Sequence, residues 1–316
     1  MLDLFDSAFD RNALGQAIAK LAQTNVFVGT SSWKYEGWIG QLYDRTRYET
    51  RGKFSSASFN QECLAEYAQF FRTVCVDAGY YRFPDAQYLE RLFGNVPPDF
   101  QFTFKVTDEI TLRRFPDLPR FEGRRGRSNP HFLSADLFRE DFLGPLSLWP
   151  GRVGVLIFEF AAFRPYDFRG SDDFTEQLAG FLEQLPPGWN YAVEIRNPEF
   201  LTEDYLSVLD AYQVAHVINQ WTRMPDVDEQ LARTGIFPGN FIPARFLLAK
   251  GRTYEEAVAK FSPYREIREV NQAVRKALRQ LIWDIPVREG KPVFCYVNNR
   301  LEGNALNTIW AVVHGD

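Results

Sequence analysis

The feature that most constrains this chain is alternation. Eight short apolar runs recur along it: 26–28 leading into Gly29-Thr30-Ser31-Ser32, then 73–78, 100–106, 153–160, 191–195, 214–218, 241–248 and 293–297. Between most of them lie segments with helical spacing, at 61–71, 86–93, 136–143, 172–185, 202–212 and 265–283. The last would carry Ile267, Val270, Val274, Leu278 and Leu281 on one face. Strand and helix in alternation predict a parallel sheet covered by helices, and eight repeats in 316 residues favour closure into a ring. The expected fold is therefore α/β: a single (β/α)8 TIM-type barrel over 26–316. An N-terminal helical extension is expected over 1–25, where Leu14, Ile18 and Leu21 share a face. An open Rossmann sheet is the competing arrangement, but Gly29 does not begin a GxGxxG pattern and no GxxxxGK[ST] loop occurs. No Pro- or Gly-rich stretch is long enough to serve as a linker between domains.

Composition excludes more than it selects. No apolar run approaches the roughly 20 residues of a membrane span, and Asp3, Asp6 and Asp10 precede any basic cluster, so no export signal or membrane partner is expected. Cys63, Cys75 and Cys295 are an odd, widely spaced set, two of them in strand-like runs, which suits buried thiols in a reducing, cytoplasmic compartment. A net charge of −5 gives no global attraction to a polyanion. Any nucleic-acid partner would need a local basic patch.

In a barrel, chemistry gathers where the strands end. Asp77 follows the second run, Lys105 ends the third, Glu159 the fourth, and Glu194, Arg196 and Asn197 the fifth; later runs contribute Asn219, Arg245, Asn298 and Asn299. Charged residues at the ends of strands built from Val, Ile and Phe are costly to bury without partners. Two readings follow: ion pairs that satisfy one another inside the barrel, or a pocket for a small polar or anionic ligand. On the second reading Glu194, Lys105 and Asp77 are the catalytic candidates, with Glu159, Arg196, Asn197, Arg245, Asn298 and Asn299 binding. Tyr81 and Arg82 after the second run join the binding set, as do Trp33 and Trp38 after the first, which with Tyr35 would form a stacking wall for a sugar or base unless they simply plug the barrel end.

The loop after the third run holds Arg113, Arg114, Arg120, Arg124, Arg125 and Arg127 against Asp117 and Glu122. It reads either as a phosphate clamp or as a solvated, mobile segment. The three histidines, His131, His216 and His314, lack ligand spacing, so no metal site is assigned. Asp77, Glu159 and Glu194 offer oxygen ligands of the kind Mg2+ takes, a weak signal by itself. Lys105 could form a Schiff base if desolvated, although an ion pair is its commoner fate. No nucleotide-cofactor motif or GxSxG elbow is present, and the cofactor is unknown.

From about residue 26 to 310 the chain resembles the YecE-like proteins, domain of unknown function 72. The pieces are Gly29-Thr30-Ser31-Ser32-Trp33 with Trp38, Gly40 and Tyr43; Phe71 to Val74 through Tyr81-Arg82-Phe83-Pro84; Phe102, Phe104 and Lys105; Ala192-Val193-Glu194-Ile195-Arg196; and Tyr296-Val297-Asn298-Asn299 with Gly303, Ala305 and Asn307. Their order and spacing make the resemblance specific. It implies a TIM-type barrel and no established activity. The chain departs from the pattern where an acid usual on the second strand is Cys75, where Asp77 replaces Asn, and where Ser32 replaces Gly. Leu112, Asn197 and Leu247 stand where histidines are common.

Three functions are compatible with these residues. One is an enzyme acting on a small polar, sugar-like or phosphorylated substrate, with Glu194 as acid or base, Arg196 and Arg245 holding an anion, and Asn298 and Asn299 orienting hydroxyls. Another is a nucleic-acid binding or processing protein using the arginine loop with Trp33 and Trp38. The third is a non-catalytic ligand-binding barrel.

Overall fold

The computed structural model describes residues 9–315; residues 1–8 of the expected extension, and Asp316, lie outside them. The barrel strands are β1 (Val26–Thr30), β2 (Thr73–Val76), β3 (Gln101–Lys105), β4 (Val153–Glu159) and β5 (Tyr191–Glu194). They continue as β6, broken at Val217 into Ala215–His216 and Ile218–Gln220, then β7 (Ile242–Phe246) and β8 (Val293–Val297). All neighbours pair in parallel, and β8 returns to β1 in the register Val26↔Val293 to Thr30↔Val297. The ring closes through β6. Its first piece pairs with β5 at Ala192↔Ala215, its second with β7 at Ala244↔Ile218.

Parallel barrel strands are covered on both faces, which is why they read as continuous apolar runs and not as alternation. β4 shows the division. Val155 and Ile157 join Cys75, Ala192, Val217, Phe294 and Tyr296 in a separate interior cluster, whereas Leu156 and Phe158 belong to the larger core between strands and helices. The interior is a packed plug. Its polar atoms are satisfied locally, with the Tyr296 hydroxyl 2.8 Å from Thr73 Oγ1 and 2.5 Å from Thr103 Oγ1.

The helices α1 (Arg11–Ala22), α2 (Ser56–Phe70), α3 (Ala86–Gly94) and α4 (Ser171–Leu182) lie near their expected places. α1 is capped by Asp10, whose carboxylate accepts from the backbone N–H groups of Asn12 and Ala13, and it buries Leu14, Ile18 and Leu21. The helix expected over 265–283 begins later, as α5 (Gln272–Arg279). Asn271 caps it by accepting from the Val274 N–H, while the N–H groups of Arg268 and Glu269 both donate to the Glu302 carbonyl. That preceding turn leaves Ile267 and Val270 outside the helix. Beyond Arg279 the helix widens through Gln280–Asp284 and continues over Ile285–Glu289. Among the described residues no helix is long and apolar enough to cross a membrane.

Candidate active site at the barrel mouth

The carboxyl ends of β2, β3, β4, β5 and β7 bring six charged side chains together. Lys105 Nζ lies 3.2 Å from Glu159 Oε2 and 3.5 Å from Asp77 Oδ1. Arg196 Nη2 is 2.6 Å from Glu194 Oε1 and 3.1 Å from Glu159 Oε2. Arg245 Nη1 donates to both Glu159 and Glu194, and its Nη2 is 3.9 Å from Asp77 Oδ1. Three carboxylates thus face three cations, and the formal sum is zero.

This balance makes burial tolerable, because each charge withdrawn from water meets at least two of opposite sign. Burial alone would raise the Glu159 carboxyl, but Lys105, Arg196 and Arg245 hold it well below the ordinary carboxylate range. Burial likewise opposes the charge on Lys105, and Glu159 with Asp77 outweigh it, so the ammonium is held above its usual value. Arg245 is pushed well above its usual value by Glu194 and Glu159 against the same desolvation. Under the network, burial pushes the Cys75 thiol up to about 12, leaving it protonated.

Access to solvent is graded across the cluster. The Asp77 side chain is 38% exposed and that of Glu159 13%, while Glu194 is fully enclosed. The open corner is therefore Asp77, with Glu159 and then Lys105 behind it. Gly79 lets the turn after β2 reach this corner, since a Cβ there would sit 2.8 Å from the Lys105 carbonyl oxygen. The same turn carries Tyr80, whose ring centroid is 4.2 Å from Lys105 Nζ. On the other side, the guanidinium carbon of Arg196 lies 3.9 Å from the centroid of Trp221.

Other candidates from the sequence are placed elsewhere. Trp38 is buried, its Nε1–H donating to Asn299 Oδ1 at 3.3 Å, so no face of the indole meets the mouth. Asn299 Oδ1 also accepts from the Ala305 N–H, and Asn298 Oδ1 from the Arg300 N–H; both are bound into the turn after β8. Asn197 braces the loop after β4, accepting from the Phe163 N–H at 2.6 Å and donating to Glu199. Trp33 and Arg82 line a separate cavity between α2 and α3, with Arg82 over the Tyr88 ring. Tyr81 is exposed and packs edge-on to Tyr80 beneath Arg120.

The arginine loop is folded, although residues 117–120 and 122–128 are exposed. Leu112, Phe115 and Phe121 form a small core, and four arginines are ion-paired: Arg114 with Asp167, Arg120 with Asp108, Arg124 with Glu109 and Arg125 with Asp117. Metal binding fits the mouth poorly. Among the described residues no group of three or more His, Cys, Asp or Glu side chains is arranged to hold an ion, and the three carboxylates at the mouth are engaged by Lys105, Arg196 and Arg245.

The family model described as "Protein of unknown function DUF72" matches residues 27–313. The chain belongs to the DUF72 family. Two solved structures of DUF72 family proteins superpose over nearly the whole chain. The one from Enterococcus faecalis is 15% identical, with a TM-score of 0.58, covering 92% of this chain and 95% of that one. The one from Thermotoga maritima is 18% identical, with a TM-score of 0.57, covering 92% and 96%. At such identity the likeness concerns the barrel alone, and no curated protein matches the chain. Three of this DUF72 protein's departures from the resembled pattern fall at the charged network: Asp77 is a member of it, Cys75 lies beneath it and Asn197 follows Arg196.

Tyr80 and Trp221 were missed as site residues in the sequence. The rule that located Asn219 would have reached Trp221, two residues further along the same strand end. Tyr80 lay within the Tyr80-Tyr81-Arg82 run, but only the coordinates separate its inward ring from the exposed Tyr81.

Proposed function

We propose that the barrel mouth is an active site for acid–base chemistry on a small polar substrate, sugar-like or phosphorylated. One observation carries this reading: Asp77 is the exposed corner of a charge network that is otherwise largely buried, and it sits 3.5 Å from the Lys105 ammonium. A carboxylate beside a held ammonium suits proton abstraction next to a carbonyl. Asp77 takes the proton from carbon, the C–H electron pair forms the new C=C bond, and the carbonyl π pair moves onto oxygen, where Lys105 stabilises the negative charge. Return of the proton to the same carbon re-forms the carbonyl compound; return to the former carbonyl carbon, with the hydroxyl proton passing from the neighbouring oxygen to the enolate oxygen, gives the isomer, and neither course needs an oxidant.

Glu194 takes a different role from the one expected in the sequence. Enclosed between Arg196 and Arg245, it fixes two cations and has no path to a substrate proton. The pairing of four arginines within the loop after β3 argues against a nucleic-acid clamp there.

The test is proton exchange. Incubating the protein in D2O with a panel of aldoses, ketoses and their phosphate esters should give deuterium incorporation beside the carbonyl of at least one class, read by 1H NMR. That incorporation should vanish in Asp77→Asn and fall steeply in Lys105→Met. No exchange across the panel, or exchange unaffected in a folded Asp77→Asn protein, would remove the reading.

A further inference from the structure

Beside the mouth lies a second cavity, of about 480 Å³, between the loops that follow β4, β5 and β6. Four of its lining side chains are arginines, Arg164, Arg169, Arg196 and Arg223, against one carboxylate, Glu199. Phe163 and Phe168 line it as well.

Two of the arginines are conspicuously available. Arg223 is exposed and has no ion-pair or hydrogen-bond partner among the described residues. Arg196 is only 6% exposed, yet its Nη1 is buried without any hydrogen-bond acceptor. A buried guanidinium nitrogen left unpaired is expensive, and an acceptor oxygen entering the cavity would relieve it. The other two arginines are partly engaged: Arg164 donates to the Tyr166 hydroxyl, and Arg169 Nε is 3.6 Å from Asp173. Both nevertheless border the same space. Glu199 accepts a hydrogen bond from the Asn197 amide at 2.6 Å and keeps its charge.

We propose that this cavity is the phosphate subsite of the mouth, holding the phosphomonoester end of a small substrate. The inference rests on the acid–base reading above and deepens it by naming the substrate class. Arg196 joins the two regions. One side of its guanidinium pairs with Glu159 and Glu194 in the network, and the residue also lines the cavity. Arg196 pairs with Glu159, which pairs with Lys105, so two side chains connect a phosphate bound here to the reacting corner, and the cavity volume leaves room for a short carbon skeleton beside it. Guanidinium groups present paired donors that match phosphate oxygens, and Phe163 and Phe168 supply apolar walls beside them.

The experiment is calorimetric titration with inorganic phosphate at low ionic strength, with chloride as the control salt. Wild-type protein should bind phosphate saturably. Because Arg169 and Arg223 are exposed, Arg223→Gln and the Arg169→Gln/Arg223→Gln pair should keep the melting temperature and lose affinity by about tenfold or more, the size expected of a lost charged donor. Unchanged affinity in the pair, or no saturation up to about 10 mM phosphate, overturns the subsite. So does tight binding of a short DNA strand that phosphate cannot displace, since that would make the arginines a polyanion surface. Lys105→Met separates this inference from the one before. Phosphate binding retained in Lys105→Met and lost in the arginine pair upholds the subsite whatever exchange chemistry is found. Lys105-dependent exchange with unphosphorylated sugars, in the absence of phosphate binding, upholds the mouth chemistry and discards the subsite.

Discussion

Trp221 lies against Arg196, ring centroid to guanidinium carbon 3.9 Å, at the point where the charged network meets the neighbouring cavity. The ring covers a cation whose Nη2 is drawn toward Glu159 and Glu194. It thereby excludes water from one face of the guanidinium. Trp221→Ala should cost about 1–2 kcal/mol of stability, the range for a partly desolvated cation–π contact. Trp221→Phe should recover much of that loss. Urea unfolding of the three proteins checks this, and equal stabilities would show that the ring only borders Arg196.

Glu194 is the most enclosed member of the network, and its loss should be felt as structure first. Glu194→Gln leaves Arg196 and Arg245 each short of a carboxylate in a place water does not reach. Breaking one partner of a buried pair costs about 3–5 kcal/mol. The Glu194→Gln/Arg196→Gln double variant should be destabilised by less than the sum of the two single changes, because removing both partners strands less charge. Additive losses in a thermodynamic cycle would mean that Glu194 and Arg196 act independently despite their 2.6 Å separation.

The physical reasons for what the sequence disclosed follow from these same residues. The strands were legible because a parallel barrel strand is apolar on both faces, so 153–160 stood out without alternation. Lys105, Glu159, Glu194 and Arg245 were legible for the opposite reason: a charge at the end of such a strand is costly and needs a cause. Their pairing was not legible, since it depends on ring curvature that brings β3, β4, β5 and β7 to one place. Asn298, Asn299 and Trp38 were ambiguous for a local reason. An amide after a strand binds a ligand or braces a turn with the same atoms, and here Asn299 spends its carbonyl oxygen on Trp38 and Ala305. The start of α5 was misplaced because Ile267 and Val270 fit the helical period, while the Asn271 cap and the Glu302 carbonyl decide where the helix begins.

His216 supplies a pH test outside the charged network. It is buried on β6, its Nδ1 3.0 Å from the Tyr205 hydroxyl, and burial together with the Arg233 charge lowers its pKa to about 3. In the unfolded chain the imidazole titrates near its ordinary value of about 6.5. Below that pH the unfolded chain gains a proton that the folded protein refuses, so stability is full above pH 6.5 and falls as pH drops toward 3. The slope approaches about 1.4 kcal/mol per pH unit for this one group. His216→Asn, which retains a partner for Tyr205, should flatten the dependence between pH 7 and pH 5. An unchanged slope in urea unfolding would assign the acid sensitivity to other groups.

The three cysteines are all buried, and burial pushes Cys63 and Cys75 to about 12. Thiolate is the reactive form, so little of it exists at neutral pH. A thiol reagent added to the native protein at pH 8 should label none of the three on the time scale of a free thiol, and all three after unfolding in urea. Rapid native labelling at Cys75 would reveal an opening beneath the charged network.

Lys105 distinguishes two kinds of chemistry at the mouth. Schiff-base formation needs a neutral amine, which requires a lysine whose pKa has been lowered. Here Glu159 at 3.2 Å and Asp77 at 3.5 Å oppose the desolvation and hold the ammonium charged. Borohydride added with aldehyde and ketone probes should therefore leave no adduct on Lys105 by mass spectrometry, although exposed lysines take up label slowly. Lys105→Arg keeps the charge but moves it away from the Tyr80 ring, so it should preserve much of the stability and lose most of the exchange chemistry. Lys105→Met removes the charge and leaves Asp77 and Glu159 to repel each other near Arg245, so it should lose the exchange chemistry and part of the stability while staying folded. A borohydride-trapped Lys105 would instead mean that substrate binding displaces the carboxylates and frees the amine, and the network would then be a resting state that the reaction opens.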